Sequence, residues 1–565
     1  IYVNRVEGSL AAAALVDAFT LPPGESVETD PLLLVVGAPN ALLETYASAL
    51  ARSQGARFSA ASPTGWCSWY HYYTSVSEAD VLENLAALRS ARGALPLDVV
   101  QIDDGYQRAV GDWTSLNEKF PSGMGALAQR IRDAGFRPGL WLAPFTVAAD
   151  SGLAAEHPEW LIHDMSGRPR DVGTNWQVTL HGLDTTHPGA REWLRRLFST
   201  IVEQWGFDYL KLDFLVTAAM AGRRWVASTT RAAALRQGLE LIRSVVGNDV
   251  YLLGCGCPLL SAVGLVDAMR VGPDVAPRWS LTSLFAPQSG AESYPLPTTE
   301  GVIRSTLLRA WMAPALWAND PDCLLAREAE SDLTLAEVQA VASAIALTGG
   351  VVMLSDRLSR LTLERLDLAA RLLPPLQERA LPTSYLRAGA PERVLMEIQR
   401  AWGSWWVLGV FNSEPTAREI RITWDELGLP PNRYHATEFW SGSYLGVSAE
   451  GAGVPVAAHG AAILALRATT VDPLLLSTSF HFSQGGAEIA GWDYDRASGR
   501  LLWTAVLGRR AAGTFTLWMP HHLAPRRLVS TARAAQWRRQ DGGLIVVETE
   551  ITGRAEFALE LEEAR

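Results

Sequence analysis

Cysteine is scarce in this chain: four in 565 residues, at Cys67, Cys255, Cys257 and Cys323. That excludes a disulfide scaffold and is compatible with a reducing compartment. Histidine is thin too, ten residues with no His-x-His and no His-x-x-x-His, so a histidine-built zinc centre is not indicated. No apolar run reaches the roughly 18 residues of a membrane span. Basic residues are in deficit, 49 Lys plus Arg against 60 Asp plus Glu for a net charge of −11, which argues against a nucleic-acid partner. The chain opens at Ile1 without a Met, and no basic stretch followed by an apolar one precedes the first turn. No signal peptide is read there, a cytoplasmic location is expected, and residues upstream of Ile1 stay an open matter. No Gly-x-Ser-x-Gly elbow, P-loop or dinucleotide fingerprint sits on a strand-to-helix turn, which disfavours serine-hydrolase, kinase and dehydrogenase chemistry.

Composition is otherwise that of a globular protein, 48% apolar and 19% charged, with length for three or four domains at roughly 150 residues each. Tryptophan is the outlier, at 21 residues. Flat indoles suit sugar stacking, and they equally suit the core of a large β-rich protein.

From residue 65 the pattern becomes regular. Continuous apolar runs at Gly65–Tyr73, Leu97–Tyr106, Arg137–Phe145, Phe207–Leu215, Tyr251–Cys257, Ala268–Asp274, Ala315–Leu325 and Gly349–Ser355 are read as strands. Most are followed by helical spacing, as over Ser77–Ser90, Ser122–Ala134, Pro188–Trp205, Arg231–Val246 and Leu335–Leu347. Apolar strands alternating with helices mean a parallel sheet covered on both faces. Eight units predict a closed (β/α)8 TIM barrel, with a doubly wound open sheet as the runner-up. The barrel is favoured because six strands end in reactive side chains: Trp66 to Trp69, Asp103 with Asp104, Trp141, Lys211 with Asp213, Arg270 with Asp274, and Asn319 to Asp322. A barrel gathers such ends at one mouth, whereas an open sheet gathers them only near its switch point. Beyond about residue 380 short alternating segments read as β-sandwich material. The expected class is therefore α/β plus all-β. It divides into 1–60, a short N-terminal β remnant with a linking helix; 61–380, the barrel; 381–470, a β-sandwich; and 471–565, an additional β-module. Within the first part Leu32–Val36 is read as a strand.

Lys211 and Asp213 are two apart on a strand, so both point into the barrel. A buried carboxylate is costly unless paired, and the ammonium would keep Asp213 ionised, as a nucleophile requires; a structural ion pair is the alternative. In Arg270-Val271-Gly272-Pro273-Asp274 the spacing recurs, with Gly272 leaving room for a ligand. Asp213 and Asp274 would then form the carboxylate pair of glycoside hydrolysis, one attacking the anomeric carbon and the other serving as acid and base. An ordinary turn aspartate after proline is the plainer reading of Asp274. Asp103 and Asp104 suit bidentate acceptance from vicinal hydroxyls if the strand bends at Gly105; a metal pair is the rival, without further acids to build a cage. Cys255-Gly256-Cys257 lacks zinc spacing, and buried inert thiols are expected.

Seven motifs come in order: Gly65-Trp66-Cys67-Ser68-Trp69-Tyr70, Gln101-Ile102-Asp103-Asp104-Gly105-Tyr106, Trp141-Leu142-Ala143-Pro144, Leu183-Asp184-Thr185-Thr186-His187-Pro188, Lys211-Leu212-Asp213, Arg270-Val271-Gly272-Pro273-Asp274 and Asn319-Asp320-Pro321-Asp322-Cys323. Together they resemble the family 36 glycoside hydrolases, the α-galactosidases and transferase relatives such as raffinose synthase, across roughly residues 20–380 and loosely over the sandwich that follows. The resemblance implies a retaining mechanism without cofactor or metal, with Asp213 as nucleophile and Asp274 as acid/base. It assigns Asp103 and Asp104 to galactose O4 and O6, Lys211 and Arg270 to flanking sugar contacts, and Trp141 to stacking. Cys255 falls near O2, and Trp66 is counted among the sugar-binding candidates. The implied substrate is a small oligosaccharide bearing terminal α-linked galactose. No nucleic-acid or membrane partner is implied, and homo-oligomers occur among relatives. Transglycosylation, an N-acetylgalactosamine substrate, and a non-catalytic sugar-binding protein are the alternatives. Tyr106 departs from the tryptophan common at its position, the large N-terminal β-domain of relatives is represented only by residues 1–35, and 471–565 has no counterpart in the pattern.

Overall fold

The computed structural model describes residues 2–4, 9–11, 17, 23–24, 26, 28, 31–57, 62–280, 297–385 and 389–563. The apolar runs are the staves of a barrel: β1 Thr64–Cys67, β2 Val99–Ile102, β3 Arg137–Leu142, β4 Tyr209–Leu212, β5 Tyr251–Gly254, β6 Ala268–Arg270, β7 in two pieces at Ala318–Asp320 and Cys323–Leu324, and β8 Val352–Leu354. Every neighbouring pair is parallel. The ring closes through β7, which is broken. Its first piece pairs with β6 and its second with β8, and β8 pairs back to β1. Pro321, which has no N–H to give a ladder, and Asp322, with φ of 78°, form the break.

Alternation decides what each strand does. Val100, Ile102, Leu140, Leu142, Leu210, Leu212 and Leu252 pack outward with the helices in one core. Cys67, Val99, Tyr209, Tyr251, Leu253, Ala268 and Met353 fill the inside. The helices carry their own signals. Ser77 and Asp80 complete a capping box on Glu78–Ala91, and Thr334 and Glu337 do so on Leu335–Thr348. Thr230 caps Arg231–Val246, which stops at Gly247. Such caps satisfy amide donors that a helix end leaves free. No helix among the described residues is long and apolar enough to cross a membrane.

Three expectations need correction. The aromatic run Gly65–Tyr73 is a strand only through Cys67; Trp69–Tyr72 is a helical turn. The Ser355 hydroxyl donates to the Cys67 carbonyl and accepts the Tyr70 N–H, bending the chain across the mouth. Leu32–Val36 is exposed and unpaired rather than a strand; apolar content alone does not make a strand without a neighbour. An insert not foreseen, a three-stranded sheet of Thr146–Ala148, Gly173–Asn175 and Val178–Gly182, lies between β3 and the helix Pro188–Ser199.

After the barrel come two β assemblies. A six-stranded sheet runs from Leu381 to Ala468 and faces the pair Arg418–Thr423 and Gly451–Val456 across an apolar core. The other is built on two long strands, Arg500–Trp518 and Leu544–Glu563, paired antiparallel through a bulge at Leu507/Arg510. From sequence these strands read as the separate short segments Leu501–Val506 and Thr514–Met519, and Leu544–Ile551 and Glu556–Leu561, because internal glycines look like turns.

Candidate active site

The polar residues predicted at strand ends do converge on the C-terminal mouth of the barrel. Lys211, facing inward from β4, donates to Asp103 Oδ2 at 3.0 Å, with both side chains buried. Burial is the largest influence and disfavours the Lys211 ammonium, but the Asp103 carboxylate together with the other groups around it holds the lysine well above its ordinary value. Asp103 Oδ2 also receives the Gln101 amide at 2.7 Å, and Oδ1 receives the Asp104 N–H at 3.0 Å. The Lys211 ammonium therefore serves Asp103, not Asp213 as the alternation of β4 predicts. The reason is that β4 ends at Leu212, so Asp213 stands one step past the ladder. Phe214 follows with φ of 49° and turns the chain away. Its own ring packs on Trp176, centroids 5.3 Å apart.

Asp213 is held by two N–H donors, the Phe214 amide on Oδ1 at 2.7 Å and the Trp141 indole on Oδ2 at 3.1 Å. A Cβ on Gly256, whose φ is 53°, would lie 3.0 Å from Asp213 Oδ1, so only glycine leaves the carboxylate its place. Trp141 thus reaches Asp213 with its N–H and meets Trp113 and Trp176 at ring edges.

Asp104 sits beside this pair. The strand bends after Ile102, and Gly105, with φ of 123°, passes so close to the Thr74 carbonyl that a Cβ would sit 2.7 Å from it. Asp104 Oδ1 accepts from the Gln107 amide at 2.6 Å and Oδ2 from the Trp176 indole at 2.7 Å. Burial pushes its carboxyl up to about 6, against the downward pull of the bonds from Gln107 and Trp176. Trp176 is at the tip of the insert hairpin, where it and Gln177 both have positive φ.

Across the mouth Arg270 is buried with three carboxylates: Nε to Asp320 Oδ2 at 3.0 Å, Nη1 to Asp274 Oδ1 at 3.0 Å and Nη2 to Asp322 Oδ1 at 2.8 Å. Burial would lower the guanidinium, but the Asp322 and Asp320 charges keep it above its usual range. Asp320 and Asp322 are buried, while the Asp274 side chain is 47% exposed and is the one acid of the three that meets solvent. The Tyr70 hydroxyl and the Val275 N–H donate to Asp322 Oδ2. Gly272 does not open room for a ligand; its missing Cβ faces Ser305 on the helix Thr299–Leu308, at 3.3 Å, because β6 ends at Arg270 and the chain swings outward.

Cys255 follows β5 directly, among the charges of Asp213, Arg270 and Lys211, and burial pushes its thiol well above its usual range, which keeps it protonated. Trp66 is not at the mouth. It is fully buried on the outer face of β1, its indole donating to the Asp356 carbonyl at 2.8 Å; parity with inward Cys67 is the signal that places it there. The sequence did not single out Trp176, Gln101 or Gln107 as site residues, nor did it pair Asp320 and Asp322 with Arg270. Among the described residues no group of three or more His, Cys, Asp or Glu is arranged to hold a metal ion. A cavity of about 620 Å³ lies at the other end of the barrel, beside Thr64, Ala318, Gly350 and Arg509, away from all these acids.

The melibiase family matches residues 61–246, and the α-galactosidase C-terminal β-sandwich domain matches residues 399–466. The α-galactosidase AgaA of Geobacillus stearothermophilus is 28% identical over 206 residues, 34% of this chain and 27% of that protein; the chain thus aligns with about a quarter of that curated relative's length. The crystal structure of that enzyme, a GH36 α-galactosidase, shares the fold at 17% identity and a TM-score of 0.53, over 76% of this chain and 59% of that one. TtGalA, the α-galactosidase of Thermus thermophilus, solved in complex with p-nitrophenyl α-D-galactopyranoside, is 36% identical with a TM-score of 0.53, over 64% of this chain and 69% of that one. With a barrel, a following sandwich and more than two thirds of the Thermus structure matched at that identity, the chain belongs to the melibiase family of α-galactosidase-type glycoside hydrolases.

Proposed function

We propose that the protein is a retaining α-galactosidase that removes terminal α-linked galactose from oligosaccharides. The observation that carries this is the pair of unlike acids at one mouth: Asp213, fixed by two N–H donors, and Asp274, held by one arm of Arg270 and open to solvent. Asp213 attacks the anomeric carbon as the bond to the leaving oxygen breaks, and Asp274 gives that oxygen its proton. The galactosyl group is then an ester of Asp213. Asp274, now a carboxylate, takes a proton from water; the water oxygen bonds to the anomeric carbon and the ester bond returns its electron pair to Asp213. The guanidinium that orients Asp274 is charge-balanced by Asp320 and Asp322. Asp104, Lys211 and Asp103 offer the buried acceptors and donor that select a sugar by its hydroxyls, since an unmatched hydroxyl leaves such groups unpaired. The Thermus relative's bound galactoside supports this choice of sugar.

The test is hydrolysis of p-nitrophenyl α-D-galactopyranoside followed by proton NMR. α-Galactose should appear before its β anomer. Asp213→Asn should cut kcat by on the order of 10⁴-fold or more while galactose still binds. Initial release of the β anomer, or near-full turnover by the variant, refutes the mechanism.

A further inference from the structure

Between the loops that follow β7 and β8, a pocket of about 130 Å³ opens at the same end of the barrel as Asp213 and Asp274. Four arginines line it, and they are not equivalent. Arg327 is engaged through all three nitrogens: Nη1 donates to Asp356 at 3.0 Å, Nη2 to the Tyr70 carbonyl at 3.0 Å and Nε to the Glu330 carbonyl at 3.2 Å. Arg357 forks onto Glu83 at 2.8 and 2.7 Å. The other two have donors to spare. Arg365, nine-tenths buried, bonds Glu328 through Nε at 3.1 Å, and its Nη1 is buried without a partner. Arg360 meets Glu330 only at 3.8 Å. His71 Nδ1 is likewise buried without a hydrogen bond, and Glu330, its ion-pair neighbour, stands 3.7 Å away.

The two carboxylates that face these donors, Glu328 and Glu330, are more than half exposed and sit on the rim. They occupy the charge of the pocket without filling its hydrogen bonds. Thr362 lines the same space and caps the helix Leu363–Ala370, whose first turn adds its free amide dipoles. Convergent guanidinium donors at a helix start, in room for one small ion, match a tetrahedral anion with several acceptor oxygens better than a planar carboxylate on a flexible stem. In barrels of this kind the loops after strands seven and eight are a recurrent place for such a group.

We propose that this pocket is a binding site for a tetrahedral oxyanion of the phosphate or sulfate type, free or carried on a sugar, with Arg365 and Arg360 as its main donors and Glu328 and Glu330 as the side chains it displaces. The site is independent of the glycosidase reading, although its wall is shared: Arg327 holds the carbonyl of Tyr70, whose hydroxyl bonds Asp322 in the Arg270 cluster.

The experiment is calorimetric titration of the whole chain with inorganic phosphate and with sulfate, at ionic strength balanced by chloride. Saturable binding with one ion per chain is expected, weakened about tenfold or more in Arg365→Gln, the loss expected for one hydrogen bond to a charged group. Glu330→Gln, a rim substitution that leaves the arginines in place, should tighten it. Absence of saturable binding in the wild type overturns the proposal, and so does phosphate affinity unchanged in Arg365→Gln or lowered in Glu330→Gln. Galactose 6-phosphate, titrated into the Asp213→Asn variant, separates the sources. Affinity above that of both phosphate and galactose, lost when Arg365→Gln is added, assigns the site to a sugar substituent, and affinity no higher than that of galactose alone, with phosphate still bound, assigns it to the free ion.

Discussion

Replacing Trp176 by Phe keeps a ring at the hairpin tip and removes one donor, the indole N–H that reaches Asp104 Oδ2 at 2.7 Å. Asp104 titrates at about 6 because burial raises it and the bonds from Gln107 and Trp176 only partly offset that. A hydrogen bond to a charged group contributes about 1.5–3 kcal/mol. Trp176 is half-buried, so the low end applies, and about 1.4 kcal/mol equals one pKa unit. The variant's Asp104 should therefore titrate near about 7. The sign follows from the chemistry. In the proposed reaction Asp104 has to be ionised to accept sugar hydroxyls with both oxygens, so kcat/KM should fall as pH drops through this value. The acid limb of the kcat/KM profile on p-nitrophenyl α-D-galactopyranoside should move up by about one unit. Activity would then be about fivefold below wild type at pH 6 and nearly equal to it at pH 8. A limb that stays in place or moves to lower pH refutes the reasoning, and a uniform loss at every pH means that the indole only packs.

Lys211→Met leaves the buried Asp103 carboxylate without its cation, a loss of about 3–5 kcal/mol when one partner of a buried pair is removed; urea denaturation should show it, and a change under about 1 kcal/mol would contradict the pairing. Gly256→Ala puts a methyl 3.0 Å from Asp213 Oδ1 in a left-handed backbone conformation. The displaced carboxylate should lower kcat on the order of 10²-fold with KM little changed, and an unaltered kcat would show that the carboxylate has slack there.

The barrel was legible because buried parallel strands have to be apolar along their whole length, so polar residues at several strand ends stand out against them and gather at one mouth. Asp213, Asp274, Asp103, Asp104, Lys211 and Arg270 all follow from that contrast. What alternation cannot supply is the neighbour. It places Lys211 inward but not against Asp103, since that choice depends on how far β2 and β4 extend. Trp176 was invisible because it stands on a polar hairpin with no strand or helix period, and its contact with Asp104 spans 72 positions. Gly272 misled because a glycine marks a close approach without saying from which side. Trp66 misled because aromatic content was read ahead of parity.

The interruption in β7 has a consequence for how this enzyme can change. Where Pro321 and Asp322 break the ladder, one arm of Arg270 grips Asp320 on the near side of the gap and another grips Asp322 on the far side. The arm that remains orients Asp274. A single guanidinium thus rivets the seam of the barrel and holds the carboxylate that the proposed reaction uses as its acid. Altering Arg270 should loosen the scaffold before it changes anything at Asp274, so variation there is open to Asp274's surroundings but closed to the arginine itself.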